Sequence, residues 1–179
     1  MWMGKITLLL LLLLINPLED SLIPSLKNKT FQAKVIGISD GDTMEVLYQN
    51  NPIKIRLAHI DCPEKRAKQP FGNNAKKALS DLCFGQMVTV KVDKYDRYKR
   101  LIAVVINHKK QVVNQEMIKQ GFAWHYKKYS SDSLYANLEA TAKRNKIGLW
   151  SDPNPTAPWD WRKNKTKIIK IYTINSVSR

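Results

Sequence analysis

TFQAKVIGISDGDTMEVLYQNNPIKIRL, residues 30–57, is the stretch whose reading decides the fold. Phe31, Ala33 and Val35 alternate with Gln32 and Lys34, the period of two that marks a half-buried strand. The alternation breaks at Ile36-Gly37-Ile38, where a glycine inside a strand pattern predicts a bulge. Asp40-Gly41 then reads as a hairpin turn, because Gly tolerates positive φ and Asp tolerates the left-handed region. Met44, Val46 and Tyr48 alternate through a second strand, and Gln49-Asn50-Asn51-Pro52 is another turn. Ile53, Ile55 and Leu57 alternate with Lys54 and Arg56 in a third strand, which puts Arg56 on the face opposite the core. Three consecutive strands with short turns make a meander.

Downstream, Ala75, Ala78, Leu79 and Leu82 fall on one helical face, with Asn73 or Asn74 as the expected N-cap and Gly85 as the C-terminal cap. Val88, Val90 and Val92 mark a fourth strand, and the apolar run Leu101 to Ile106 a fifth, buried one. Val113, Met117 and Ile118 mark a short helix closed by Gly121. Leu134, Leu138, Thr141 and Ala142 mark a longer one capped by Ser131 or Asp132, and Trp150 is expected to pack back on the core. Five strands with a helix between the third and fourth is the order of an OB-type barrel, so the predicted class is α+β: a five-stranded OB barrel with three helices.

The ends read differently. Lys5 precedes Ile6-Thr7 and an apolar run that ends at Ile15 and is broken by Asn16-Pro17. It is too short to span a bilayer comfortably and matches a secretory signal, so residues 1–21 are expected to be a signal peptide or, if uncleaved, an anchor. Export implies a secreted or periplasmic protein, with membrane contact only if that segment is retained. Residues 22–29 read as an N-terminal tail, 30–151 as the barrel domain, and 152–179 as a basic and aromatic extension carrying Trp159, Trp161, Arg162, Lys163 and Lys165. Cys62 and Cys83 have neither CxxC nor zinc spacing and read as two free thiols, although export would permit a disulfide.

Lys and Arg number 30 against 15 Asp and Glu, a formal charge of +15. Such an excess is indifferent to fold but favours a polyanionic partner, through counterion release and steering. No basic amphipathic helix with a large apolar face supports a membrane-surface protein. Nothing points to an obligate protein partner, and a monomer is expected.

The chemistry concentrates around Arg56 to Glu64. Asp42, at the start of the second strand, and Asp61, past the end of the third, can converge as hard oxygen ligands for Ca²⁺ or Mg²⁺. Glu64 is the candidate general base, with Pro63 stiffening its approach. Arg56 and Arg100 are candidate phosphate clamps, since a planar guanidinium matches phosphate bidentately. Arg100 stands above Arg97 because it adjoins the fifth strand. His59, His108 and His125 read as packed or hydrogen-bonded residues outside the site. Trp124 and Tyr126 read as packing residues, and an aromatic set including Tyr95, Tyr98 and Tyr129 could stack bases. Together the acids and arginines are a parts list for metal-assisted phosphodiester cleavage. The alternative is a non-catalytic OB module that only binds nucleic acid, which would have no need of all five residues at once.

Asp40-Gly41-Asp42-Thr43, Arg56 with Asp61-x-Pro63-Glu64, Asp96-x-Tyr98-x-Arg100, Val113-Asn114 and Gln120-Gly121-x-Ala123 come in one order, closed by Gly148-Leu149-Trp150. From about Thr30 to about Trp150 the chain resembles the staphylococcal nuclease family. The resemblance implies a secreted, Ca²⁺-dependent endonuclease acting on DNA and RNA, leaving 3′-phosphate ends by water attack and release of the 5′-oxygen. It implies Asp42 and Asp61 as carboxylate ligands, the Cys62 carbonyl as a backbone ligand, Glu64 as the water-activating acid, and Arg56 and Arg100 as the transition-state pair. Arg97 and Tyr98 fall where the family contacts a terminal phosphate, and Tyr129 matches a tyrosine lining that pocket. The chain departs from the pattern at Cys62, which replaces a Thr, in a shorter loop after Glu64, and in Trp124-His125-Tyr126 with the Trp159/Trp161 extension.

Overall fold

The computed structural model describes residues 23–66 and 68–164. The predicted signal segment and the stretch from Lys165 onward lie outside these residues. Five strands, β1 (Thr30–Ile38), β2 (Thr43–Tyr48), β3 (Asn51–Leu57), β5 (Met87–Tyr95) and β6 (Leu101–Ile106), close into a barrel in the order β1-β2-β3-β6-β5. Two short strands, β4 (Ile60–Asp61) and β7 (Trp124–His125), pair outside it. Helices α1 (Gly72–Cys83), α2 (Val113–Lys119) and α3 (Ser133–Arg144) and a 3-10 turn at Gly148–Ser151 complete the domain. The chain is helical again from 158 to 164.

The barrel closes because the period-two pattern buries one face of every strand. Val35, Met44, Val46, Ile53, Ile55, Leu57, Val90, Leu101 and Val105 are all within 1 % of full burial, and α2 adds Met117 and Ile118. The closing pair, β3 with β6, is the parallel one, with Ile55 opposite Leu101 and Leu57 opposite Ala103. The expected bulge in β1 is present, as a register shift between Val35 and Gly37.

Several local expectations are corrected. Gly41 is not among the glycines with positive φ. What it supplies is room, since a Cβ there would lie 2.6 Å from the Ala75 Cβ and 2.8 Å from the Cys62 Cβ. In the next hairpin, between β2 and β3, Gln49 and Asn50 at the tip are left-handed. Neither Asn73 nor Asn74 caps α1; the N-cap is Phe71 at φ 65 with no side-chain bond, and Gly85 follows the C-cap Phe84 by one residue. In α3, Asp132 is the N-cap, but the buried face is Tyr135, Glu139 and Ala142 while Leu134 is exposed. The β6 run is half-buried, alternating between buried and partly exposed residues. The segment read as a tail is packed, with Ile23 and Leu26 in the core. Both cysteines are buried free thiols.

Asn114 ties the barrel to α2. Fully buried, it accepts from the Val105 N–H (2.9 Å) and donates to the carbonyls of Ala58 (3.0 Å) and Ala103 (3.1 Å). The last two carbonyls straddle the β3–β6 closure. Asn114→Ala strands these buried groups and is expected to lower stability by about 3 kcal/mol. Urea denaturation checks this, and a loss below the error of the measurement would remove Asn114 from the closure.

Candidate active site

The site grows from the end of the β2–β3 ladder. Thr43 pairs with Arg56, so Asp42 emerges beside the arginine, and its carbonyl accepts from the Leu57 N–H at 2.8 Å. After Leu57 the chain turns through Ala58-His59, with His59 at φ 68, and re-enters as β4 carrying Asp61. Strand parity does place Arg56 on the outer face of the barrel. The turn and β4 then cover it, so that its side chain is only 13 % exposed.

Arg56 is the hub. Nη2 donates to Asp61 Oδ1 at 2.7 Å, Nη1 donates to the carbonyls of Leu57 and Ile60, each at 3.0 Å, and Nη1 lies 3.1 Å from Asp42 Oδ2. Asp42 Oδ2 also accepts from the Cys62 N–H at 2.8 Å, and Oδ1 from the Thr43 hydroxyl at 3.2 Å. Burial alone would weaken the guanidinium's charge, but Asp42 and Asp61 outweigh it and raise its pKa. The carboxylates feel the converse. Burial, then the charge of Asp42, pushes Asp61 up to about 6, against the opposing pull of Arg56 and Arg162. The same two causes push Asp40 up to about 7. Burial, reinforced by Asp42, raises the Cys62 thiol far above its ordinary value, so it takes no part as a thiolate.

Glu64 is held through its backbone. Its N–H donates to Gln69 Oε1 and its carbonyl accepts from the Gln69 N–H, both at 3.0 Å. Gly72, the first residue of α1, lies against it; a Cβ there would meet the Glu64 carbonyl carbon and oxygen at 2.9 Å. Gln69 also donates to the Thr156 carbonyl at 2.8 Å, tying the loop to the C-terminal segment.

That segment supplies the residue that sequence reasoning missed. Arg162 Nη2 donates to Asp61 Oδ2 at 2.7 Å, and Nη1 to Glu64 Oε1 at 2.5 Å. The sequence marks Arg162 only as one basic residue in an aromatic, basic stretch, and no local pattern announces a partner about a hundred residues away. Gln69 was missed although Glu64 is only five residues before it, because a glutamine in a polar loop carries no signal of its own.

Of the predicted set, the structure brings together Asp42, Arg56, Asp61 and, through Arg162, Glu64. Arg100 precedes Leu101, the partner of Ile55, and so starts β6 alongside β3. Its own guanidinium is engaged by Asp96, from Nε at 2.9 Å and Nη2 at 2.8 Å, rather than by the Arg56 cluster. Asp96 also caps the turn through the Tyr98 and Arg100 N–H groups. Arg97 and Arg100 lie 4.9 and 5.6 Å from the centroid of the Tyr98 ring, which is largely exposed. Tyr129 is exposed and meets Tyr126 edge-on at 4.9 Å. Trp124 and Tyr126 both lie against Trp159. The histidines stay outside the site as read. His59 and His125 share the Ser130 hydroxyl, each at 2.9 Å, and His108 bonds Gln86.

A divalent cation fits this donor set in kind. Asp42 and Asp61 are hard oxygen donors whose mutual repulsion a cation would relieve, and no soft ligand competes. Among the described residues no three or more His, Cys, Asp or Glu converge on one point. A cation would therefore rest on two carboxylates, with backbone carbonyls and water completing the shell.

A buried acid and arginine cluster at the rim of a five-stranded barrel has the donors to hold a cation and the guanidinia to meet a phosphate. Comparison with known proteins is more specific. Residues 54–152 match the family described as staphylococcal nuclease homologue. An uncharacterized endonuclease of Haemophilus influenzae is 47 % identical over 133 residues, covering 74 % of this chain and 73 % of that protein. The micrococcal nuclease of Shigella flexneri is 40 % identical over 143 residues, covering 74 % and 81 %. The staphylococcal-like nuclease CAN1 of Arabidopsis thaliana is 37 % identical over 125 residues, 67 % of this chain and 38 % of its own length. The chain belongs to the staphylococcal nuclease homologue family and is a nuclease by class.

The raised carboxyls predict how the cation-free protein responds to pH. A carboxyl with a higher pKa folded than unfolded favours the fold fully below the unfolded value, near 3.8, and loses that contribution as pH rises through the folded value. Stability without cation should therefore fall between about pH 4 and pH 7. Urea denaturation in chelator at pH 5 and pH 8 checks it, and greater stability at pH 8 would contradict the assignment.

Proposed function

We propose that the protein is an exported, Ca²⁺-dependent endonuclease that hydrolyses DNA and RNA phosphodiester bonds with little sequence preference, leaving 3′-phosphate ends. The observation that carries this is the chain of ion pairs at the barrel rim, in which Arg56 joins Asp42 to Asp61 and Arg162 joins Asp61 to Glu64. A pure binding module has no use for buried carboxylates at such an electrostatic cost.

When bound at Asp42 and Asp61, with the Cys62 carbonyl as a backbone donor, the cation would supply charge neutralisation at the scissile phosphate. Glu64, fixed by Gln69 and Gly72, accepts the proton of the attacking water. Arg56, oriented by the Leu57 and Ile60 carbonyls, and Arg100, oriented by Asp96, present N–H donors to the phosphoryl oxygens as charge builds on them. Arg97, Tyr98 and Tyr129 offer exposed cationic and ring surface to the neighbouring nucleotide. The 5′-oxygen leaves and takes up a proton.

Glu64→Gln removes the proton acceptor but keeps the shape of the side chain. It is expected to lower turnover by two or more orders of magnitude, the usual worth of a general base, with an unchanged melting temperature. Digestion of single- and double-stranded DNA and RNA in Ca²⁺, Mg²⁺ or chelator tests the whole reading. Cleavage persisting in chelator would remove the cation, and binding without cleavage in Ca²⁺ would favour the non-catalytic module.

Arg162 occupies carboxylate oxygens that a cation needs. Arg162→Ala is therefore expected to tighten Ca²⁺ binding several-fold, read by calorimetry without substrate. Unchanged or weaker binding would show that the arginine does not compete.

A further inference from the structure

The 158–164 helix does more than deliver Arg162. Between it and β7 lies a groove of about 800 Å³, walled by Trp124, Tyr126, Trp159, Lys128, Lys143 and Lys163. We propose that this groove holds a single-stranded stretch of the polynucleotide flanking the scissile phosphate, with bases against the rings and phosphates on the lysines. The proposal rests on the nuclease reading above and extends it to a part of the chain beyond the 54–152 family match.

Position is the first argument. Asp61 pairs directly with Trp124 across the β4–β7 ladder, and the Tyr126 N–H donates to the His59 carbonyl at 2.8 Å. The groove therefore begins one strand away from the acids. Arg162 lines it and bonds Asp61 and Glu64, so a strand leaving the site would enter this space.

Chemistry is the second. Five cationic residues of the lining face one carboxylate, Glu139. That carboxylate is already answered by Lys143 at 3.1 Å and Lys127 at 3.6 Å. Arg162 is held by Asp61 and Glu64, and Lys163 lies 3.3 Å from Asp160 with its side chain 76 % exposed, so Lys163 and the exposed Lys128 are the cations that a phosphate can engage. The Trp159 and Tyr126 rings lie parallel, 1° apart with centroids 5.4 Å apart, and Trp124 meets Trp159 edge-on at 5.7 Å. Ring faces interleaved with cations are how proteins hold single strands without reading sequence. Duplex bases are stacked on each other and could not use these faces.

The test is anisotropy titration of a fluorescein-labelled DNA single strand, about twelve nucleotides long to span one such site, with the full chain in chelator. Trp159→Ala should weaken binding about fivefold or more, as loss of a stacking ring does. Lys128→Glu with Lys163→Glu leaves the ring packing alone; it should weaken binding at least as much and lower the salt slope by about one per lysine. Thermal melts check that both variants fold. If both bind the strand as wild type does, the groove proposal is overturned, whatever the enzyme cleaves. If wild type cleaves nothing in Ca²⁺ or Mg²⁺ while the variants still lose binding, the groove stands and the nuclease reading fails.

Discussion

One guanidinium organises this molecule. Arg56 lies under β4 with an aspartate on either side and two carbonyls fixing its plane. Without it, Asp42 and Asp61 would be like charges brought together in a poorly hydrated space, an arrangement that costs several kcal/mol per uncompensated ion. The strand ends that bear them would be driven apart. The arginine that the chemistry asks to grip phosphate is thus also what lets β2, β3 and β4 end at one point. Its truncation would be felt by the fold as well as by turnover, whereas Glu64, on a loop with its own backbone clasp, can be changed more cleanly.

Around this hub the supports are backbone contacts rather than more charge. Gly41 lets the first loop lie on Ala75 and Cys62, and Gly72 lets the Glu64 peptide lie on the start of α1. Gln69 bonds Glu64 on one side and Thr156 on the other. Each fixes a loop of the candidate site through groups that carry no charge. The geometry can hold while the carboxyls and arginines exchange partners.

The barrel was legible because its signal is periodic. Strand parity put Arg56 on the outer face and Asp42 at the barrel mouth, and the break at Gly37 foretold the bulge. What parity could not show is that the next turn folds back over Arg56 and buries it. That depends on β4 and β7, strands of two residues each, too short for any pattern. The α1 N-cap was misplaced because that helix starts on a left-handed Phe71 with no side-chain bond, whereas Asp132 caps α3 as expected. In α3 the apolar Leu134 faces solvent while Glu139, neutralised by two lysines and bonded to the His125 N–H, is buried. Tertiary pairing overrode polarity there. Arg162 was invisible because its partners are distant in sequence, and Gln69 because a glutamine clasping the backbone of Glu64 five residues earlier leaves no pattern.

The order in which the chain is made gives the parallel β3–β6 seam a further meaning. By Glu64 a growing chain already carries Asp42, Arg56, Asp61 and Glu64, but Leu101, which Ile55 needs to close the barrel, is still unmade. Arg162 comes later still. Long-range pairings of this kind form late, because loop closure has to be met before any contact rewards it. The proposed active site is therefore assembled only when nearly the whole domain exists.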